Sequence, residues 1–361
     1  MRVPPAVAHK VVAVSYHCRV VSARLSSFNS VVRVGPGASV VYRPGWACDL
    51  LHYPLKLLLR NRIPYVRLLE YSLDCPSALC NRRRMRHGVV LFTSDRGIMP
   101  ARLAQAAEER GFDAIYVPEH THIPVKREAP HPGTGDETLP DDRYMRTLDP
   151  WIALATAAAV TEKIELSTAV ALPVQHDPIA LAKTLATLDF LSGGRVSICA
   201  GFGWNADELA HHGVPFNRRR TVLKEHIEAM RALWTQEEAS YEGEFVSFGA
   251  SWAWPKPERH IPLTIGAEAG PKTLAWIAAH ADGWMSTPRT DDVVARASEL
   301  ADAWAAAGRS GAPIIRALAP DPERLDEYEA AGVTDACWGV GDGSEAEAMK
   351  TLDEVATRFN L

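Results

Sequence analysis

At 361 residues the chain has room for one large domain or two ordinary ones, and its 47% hydrophobic content excludes a disordered, low-complexity chain. The net charge of -5 hides a division: residues 1–84 carry 13 Lys and Arg against Asp49, Glu70 and Asp74, leaving 26 basic and 41 acidic side chains to the remainder. No run of about 18 apolar residues occurs, and no compact apolar leader precedes a small-residue cleavage site, which argues against membrane spanning and secretion and for a cytoplasmic location.

Residues 1–84 show no sustained period of 2 or 3.6 and end in Arg82-Arg83-Arg84 directly before Met85. They read as a basic N-terminal extension, disordered or non-native, so a chain beginning at Met85 is expected to fold and bind ligand by itself. The alternative reading is a basic arm for nucleic acid or anionic lipid. Within the segment, Leu50 to Leu69 alternates Leu-rich turns with Lys56, Arg60, Arg62 and Arg67, like a basic surface helix, but Pro54 and Pro64 interrupt it. Four of the six cysteines, Cys18, Cys48, Cys75 and Cys80, lie here. The other two, Cys199 and Cys337, sit in apolar runs and are expected to be buried free thiols, as in a reducing compartment.

From His87 onward, short runs of Val, Ile and Leu alternate with amphipathic stretches. Strands are expected near 87–92, 114–120, 163–173, 195–203, 262–268, 282–288, 313–319 and 336–341. Eight buried strands each followed by a helix predict an α/β (β/α)8 TIM barrel over 85–361. Asp149-Pro150, Asp177-Pro178 and Asp321-Pro322 each put a side-chain acceptor at an N-cap and proline at the first helical position. Gly111 and Gly332 read as helix stops, and Leu103, Ala106 and Ala107 as the buried face of a helix over 100–110, with Arg110 at its rim.

Two connections exceed simple turns: Ile123 to Thr147, rich in Pro and Gly, and Tyr241 to Ile261, with Trp252 and Trp254. The first leaves the C-terminal end of the second strand, where barrel active sites are built, and is expected to cover a substrate. Chemistry-bearing residues collect at the same strand ends: Glu119-His120-Thr121-His122, Pro173 and His176, Gly201-Phe202-Gly203-Trp204-Asn205, and Gly266-Ala267-Glu268-Ala269-Gly270-Pro271-Lys272-Thr273. Glycine turns let a backbone approach a planar ring or an anion, and Lys272 and Thr273 in a first helical turn suit a phosphate. Each turn taken singly is also an ordinary βα loop. His120-x-His122 admits a metal-hydrolase reading, but the later histidines fall mostly in loops or on helices, so no metal ligand is assigned.

Leu103 to His122 (LAQAAEERGFDAIYVPEHTH), Leu181 to Trp204 (LAKTLATLDFLSGGRVSICAGFGW), Lys224 to Trp234 (KEHIEAMRALW) and Ile265 to Trp284 together resemble the luciferase-like monooxygenases, and within them the coenzyme F420-dependent oxidoreductases. The resemblance spans nearly all of 85–361 and none of 1–84. It implies a non-proline cis peptide and bulge at Ala169-Val170 beside the central ring. It also implies a ring-contacting turn at Gly201, Phe202, Gly203 and Trp204, a phosphate segment from Gly266, Ala267 and Glu268 to Lys272 and Thr273, and acid/base catalysis by His120. Two departures stand out: relatives often carry Gly-Gly where this chain has Gly266-Ala267, with Glu268 an extra carboxylate beside the phosphate, and some carry a carboxylate at the position of Trp204.

The function expected is hydride transfer between coenzyme F420 and a small organic substrate. The alternatives are FMN-dependent monooxygenation, a remote metal-dependent hydrolase, and a barrel that binds flavin without turnover. Expected partners are the small-molecule substrate, a flavin or F420 reductase and a second copy of the chain as a homodimer, with no nucleic acid and no membrane.

Overall fold

The computed structural model describes residues 84–290, 292–341 and 343–361, and before them only four short strands. The chain divides into two compact units, 1–82 and 83–361. In the first, Val31–Arg33 pairs antiparallel with Ser39–Val41, and Leu55–Lys56 with Glu70–Tyr71. The remainder of the Leu50 to Leu69 stretch and the four N-terminal cysteines lie outside the described residues.

The second unit is a closed parallel barrel. Its strands are β1 (Arg86–Leu91), β2 (Ala114–Val117), β3 (Glu165–Thr168), β4 (Ile198–Ala200), β7 (Leu263–Gly266), β8 (Gly283–Met285), β9 (Ile314–Leu318) and β10 (Asp335–Val340). They neighbour one another in chain order, and β10 pairs with β1 from Asp335↔Arg86 to Val340↔Leu91. The intervening β5 (Ala239–Glu242) and β6 (Ser247–Ser251) form a separate antiparallel hairpin. Outside the barrel lie α1 (Pro100–Glu109), α2 (Pro150–Ala158), α3 (Pro178–Ser192), α4 (Ala206–His211), α5 (Arg219–Thr235), α6 (Pro271–His280), α7 (Val293–Ala306), α8 (Leu325–Ala330) and α9 (Glu345–Phe359).

All eight expected strands are present. Asp149 caps α2 through Ile152 N–H at 2.8 Å and Asp177 caps α3 through Ala180 N–H at 2.8 Å, each with proline next. Asp321-Pro322 differs. Asp321 O accepts from Arg324 N at 3.1 Å and Asp321 Oδ1 from Glu323 N at 2.9 Å, closing a turn, and α8 starts only at Leu325. The same Asx chemistry serves a turn as readily as a cap. Gly111 and Gly332 end their helices at φ +84° and +90°. Leu103, Ala106 and Ala107 are buried, and Arg110 reaches Asp353 at 2.7 Å.

The Tyr241 to Ile261 connection, expected as a loop, contains most of the β5–β6 hairpin. Its turn is held from α5, where the Glu225 carboxylate accepts from the N–H groups of Glu244, Phe245 and Val246 at 3.1, 2.7 and 3.2 Å. Cys199 and Cys337 are free and buried, as their apolar surroundings predict, and burial pushes the Cys199 thiol up to about 11.

The barrel interior below the cavity is polar. Arg316, 1% exposed, donates to Glu165 Oε1 at 2.8 Å, Ser197 Oγ at 3.0 Å, Thr264 Oγ1 at 3.2 Å and Ser167 Oγ at 3.3 Å. Its guanidinium also lies 5.2 Å from the Tyr116 ring centroid. No helix among the described residues is long and apolar enough to cross a membrane.

Candidate active site

The seam between β3 and β4 builds the site. Below it, Leu166 N donates to Arg195 O and Ser197 N to Leu166 O; above it, Ala171 N donates to Cys199 O and Gly201 N to Ala171 O, at 2.7–3.0 Å. Between these pairs the backbone of β3 leaves the ladder, and the Thr168 hydroxyl fills the gap, donating to Cys199 O at 2.8 Å and accepting from Cys199 N at 3.0 Å. The expected 163–173 strand is interrupted there, and the Ala169-Val170 peptide is cis, at the position the resemblance implied. Glu119 clamps the far side. Its N–H donates to Val170 O at 3.0 Å, and its carboxylate accepts from Leu172 N at 2.5 Å and meets His176 Nε2 at 2.5 Å.

The bulge turns Val170 toward two glycines. A Cβ on Gly201 would lie 2.7 Å from Val170 Cγ2, and one on Gly266 would overlap Val170 Cγ1. Both glycines therefore make room for a neighbouring side chain as well as for any ligand.

Above this wall is a cavity of about 760 Å³ at the C-terminal ends of the strands, within the range of small-molecule and cofactor sites. Ala169, Val170, Gly201, Phe202, Gly203, Trp204, Gly266, Ala267, Glu268 and Thr273 all line it. Lys272 is exposed and outside the lining. In its stead Arg219 and Arg220, at the start of α5, line the cavity beside Thr273, and Arg220 donates to Thr273 Oγ1 at 3.0 Å. Arg219 Nε is buried with no partner; burial and then the neighbouring Arg220 charge lower the Arg219 pKa. Glu268 accepts from Arg289 at 2.9 Å and Thr287 Oγ1 at 3.2 Å, so its charge is matched by an arginine and not by Lys272.

The 123–147 connection covers the cavity with His131, Pro132, Gly133, Pro140 and Tyr144. It is tied down at both ends. Arg146 forks onto Asp95 at 2.6 Å, Asp207 Oδ2 accepts from Glu128 and Ala129 N–H at 2.9 and 3.1 Å, and Arg289 donates to Pro132 O at 2.6 Å.

His120 stands one layer behind the lining. Its ring packs against Tyr144 and Trp204 at 5.6 and 5.8 Å, and Nδ1 lies 2.9 Å from Oε2 of buried Glu208. Glu208, like His131, Arg219, Arg220 and Arg289, carries no local sequence mark of a site residue. Glu208 lies three residues after its helix cap Asn205, a position that marks helix chemistry and nothing catalytic. His122 points elsewhere, its Nε2 2.8 Å from His211 Nδ1 and its Nδ1 3.0 Å from Thr121 Oγ1. Among the described residues no group of three His, Cys, Asp or Glu side chains could hold a metal ion.

Fold and site thus define a (β/α)8 barrel with a ligand cavity walled by a β-bulge and roofed by the second βα loop. The chain belongs to the luciferase-like monooxygenase family, whose profile matches residues 100–332. An uncharacterized protein of Mycobacterium tuberculosis is 60% identical over 278 residues, covering 76% of this chain and 99% of the relative. An F420-dependent glucose-6-phosphate dehydrogenase of Amycolatopsis mediterranei is 29% identical over 191 residues, 51% of this chain and 51% of the relative. Among solved structures, the monooxygenase RslO1 from Streptomyces bottropensis matches with a TM-score of 0.62 at 24% identity, covering 76% of this chain and 99% of that one, and shares the fold.

Proposed function

We propose that this chain is an oxidoreductase that exchanges hydride between coenzyme F420 and a small organic substrate held under the 123–147 roof. The observation that carries this reading is the pairing of a Val170-walled cavity with an arginine corner that holds no carboxylate partner among the described residues. An orphaned Arg219 Nε and a first-turn Thr273 suit a phosphate, and the cavity walls suit a flat ring. The relative named for F420-dependent dehydrogenation supports the choice of coenzyme.

When bound, the deazaflavin supplies an obligate hydride donor or acceptor. The chain's own residues would bind and orient: Arg219, Arg220 and Thr273 at the phosphate, Val170 and the Gly201–Trp204 turn at the ring, and the roof over the substrate to exclude water. His120, held by Glu208, is the group proposed to move a proton, through a displacement of Tyr144 or Trp204 or by way of water. FMN is the second reading, favoured by the single arginine corner, which matches a cofactor that ends in its phosphate.

Loading the purified protein with each coenzyme tests both. Retention of F420, seen as absorbance at about 420 nm, with a reduced complex stable in air, supports the first reading. Retention of FMN with rapid peroxide formation on reduction replaces it with the second, and retention of neither overturns both.

A further inference from the structure

We propose that His131 supplies the cavity roof with a neutral N–H donor for an oxygen atom of the substrate, making it a specificity residue for compounds that carry a carbonyl or hydroxyl oxygen. The proposal rests on the oxidoreductase reading for what lies beneath the roof, but its geometry stands by itself.

The ring is held through Nδ1 and by two aromatic neighbours, on a loop tip folded by backbone hydrogen bonds. His131 N donates to Asp136 O at 2.6 Å and Gly135 N to His131 O at 2.8 Å, which folds the tip of the roof back on itself. Gly133 N donates to His131 Nδ1 at 3.0 Å. A backbone N–H aimed at Nδ1 makes that nitrogen the acceptor, so the neutral ring carries its proton on Nε2. Tyr144 and Trp204 brace the imidazole edge-on, at 4.9 and 5.0 Å and 83° and 84°. Arg289 holds the next residue by the Pro132 carbonyl and is itself paired with Glu268, tying the tip to the turn after β7.

Nε2 has no hydrogen-bond partner among the described residues, and the ring lines the cavity. Burial, followed by the nearby charges of His120, Arg127 and Arg289, lowers the imidazole pKa, which keeps the ring an N–H donor and not a cation near neutral pH. Much of the surrounding wall is apolar, with Ala169, Val170, Leu172, Met285 and Leu318 facing the same space. A substrate oxygen in such surroundings binds well where a donor waits, and a deoxy analogue leaves that donor unpaired. Discrimination by a single buried polar group works in this way. His131 lies in a Pro- and Gly-rich loop with no periodicity to mark it as inward-facing.

The test uses the full chain loaded with oxidised F420 or FMN, whichever it retains, and acetophenone as the carbonyl-bearing probe with ethylbenzene as its oxygen-free counterpart. His131→Phe should weaken acetophenone binding roughly five- to tenfold, with ethylbenzene unchanged. His131→Gln, which restores an N–H donor, should recover most of that loss, and both variants should hold cofactor as the parent does. Imidazole nitrogen NMR of the parent should show the Nε2–H tautomer, with its signal shifting when acetophenone is added. Absence of acetophenone binding by the parent, equal affinity in parent and His131→Phe, or the Nδ1–H tautomer overturns the proposal. Failure of the parent to retain either cofactor is a separate result: it overturns the oxidoreductase reading, while the tautomer and probe measurements on the unloaded chain still decide the role of His131.

Discussion

Val170 and Gly266 occupy one space: a Cβ on Gly266 would overlap Val170 Cγ1, while the other methyl of Val170 faces Gly201. Neither glycine has a positive φ, so backbone freedom is not why glycine stands there. Overpacking a buried contact typically costs about 1–3 kcal/mol. Gly266→Ala should therefore lower stability by about that amount and shift the cavity wall. Adding Val170→Ala should recover most of the loss. Chemical denaturation of the two single variants and the double variant measures the coupling, and additive effects would show that the two residues do not share the space.

Arg316 fills the barrel where most cores are apolar. Its guanidinium joins Glu165 and Ser167 on β3, Thr264 on β7 and Ser197 directly before β4. Arg316→Met fills similar volume but strips those hydroxyls of their shared donor, whereas Glu165 keeps Arg86 at 2.8 Å. The expected loss is about 2–4 kcal/mol, less than that of a wholly orphaned charge. Urea unfolding reads it directly, and a change within about 0.5 kcal/mol would mean that the apolar replacement offsets the lost network.

The features legible in the sequence are those set by near neighbours. Asp149 and Asp177 cap their helices because the acceptor and its N–H lie three residues apart, and the eight strands show through their apolar runs. The features missed depend on distant partners. The turn of the β5–β6 hairpin is held by Glu225, some twenty residues upstream. Arg219 and Arg220 carry no local mark of a site, and only the fold brings them to the cavity, with Arg220 on Thr273. Asp321-Pro322 has the residues of a cap, and only the delayed start of α8 distinguishes it from one.

The His176–Glu119 pair predicts a pH dependence. Burial works against the charged imidazole, but the hydrogen bond and charge of Glu119 outweigh it, so the His176 pKa is raised. A raised folded-state pKa contributes stability that is complete below the unfolded value of about 6.5 and disappears as pH rises through the folded value. His176→Gln should therefore cost most at about pH 6 and progressively less toward about pH 9. Because Glu119 also clamps Val170 and Leu172, the variant should loosen the cavity wall on the acid side. Denaturation midpoints of parent and variant across this range give the test; a gap that widens with pH would reverse the sign.

Phosphate binding separates Arg220 from Lys272. Arg220 lines the cavity and touches Thr273, whereas Lys272 is exposed outside it. Loss of a charge-assisted phosphate contact is worth about 1–2 kcal/mol, so Arg220→Ala should weaken cofactor binding roughly 5- to 30-fold and reduce its salt sensitivity. Lys272→Ala should stay within about twofold, since an exposed charge is screened. Titration of both variants with the retained cofactor decides, and the reverse order of effects would return the phosphate to Lys272.

His120 and His122 form the last contrast, because they are two residues apart and face different surroundings. The Nδ1 of His120 is held by the carboxylate of buried Glu208, and its ring stands behind Tyr144 and Trp204. His122 meets His211 at the surface. General acid/base assistance is typically worth about 10²- to 10⁴-fold in rate. If His120 moves the proton, His120→Ala should lower turnover per folded molecule by about that factor with cofactor affinity nearly unchanged, and His122→Ala should leave turnover intact. Glu208→Gln should fall between the two, since the amide keeps a hydrogen-bonding group beside Nδ1 but removes the charge that orients an N–H toward it. A purely structural His120 gives another pattern: lower stability in His120→Ala and normal turnover in the molecules that remain folded. A metal centre gives a third, in which both histidine variants lose activity together with bound metal. Single-turnover oxidation of the reduced cofactor, scored against the folded fraction, distinguishes the three, and equal losses in His120→Ala and His122→Ala would rule out His120 as the proton carrier.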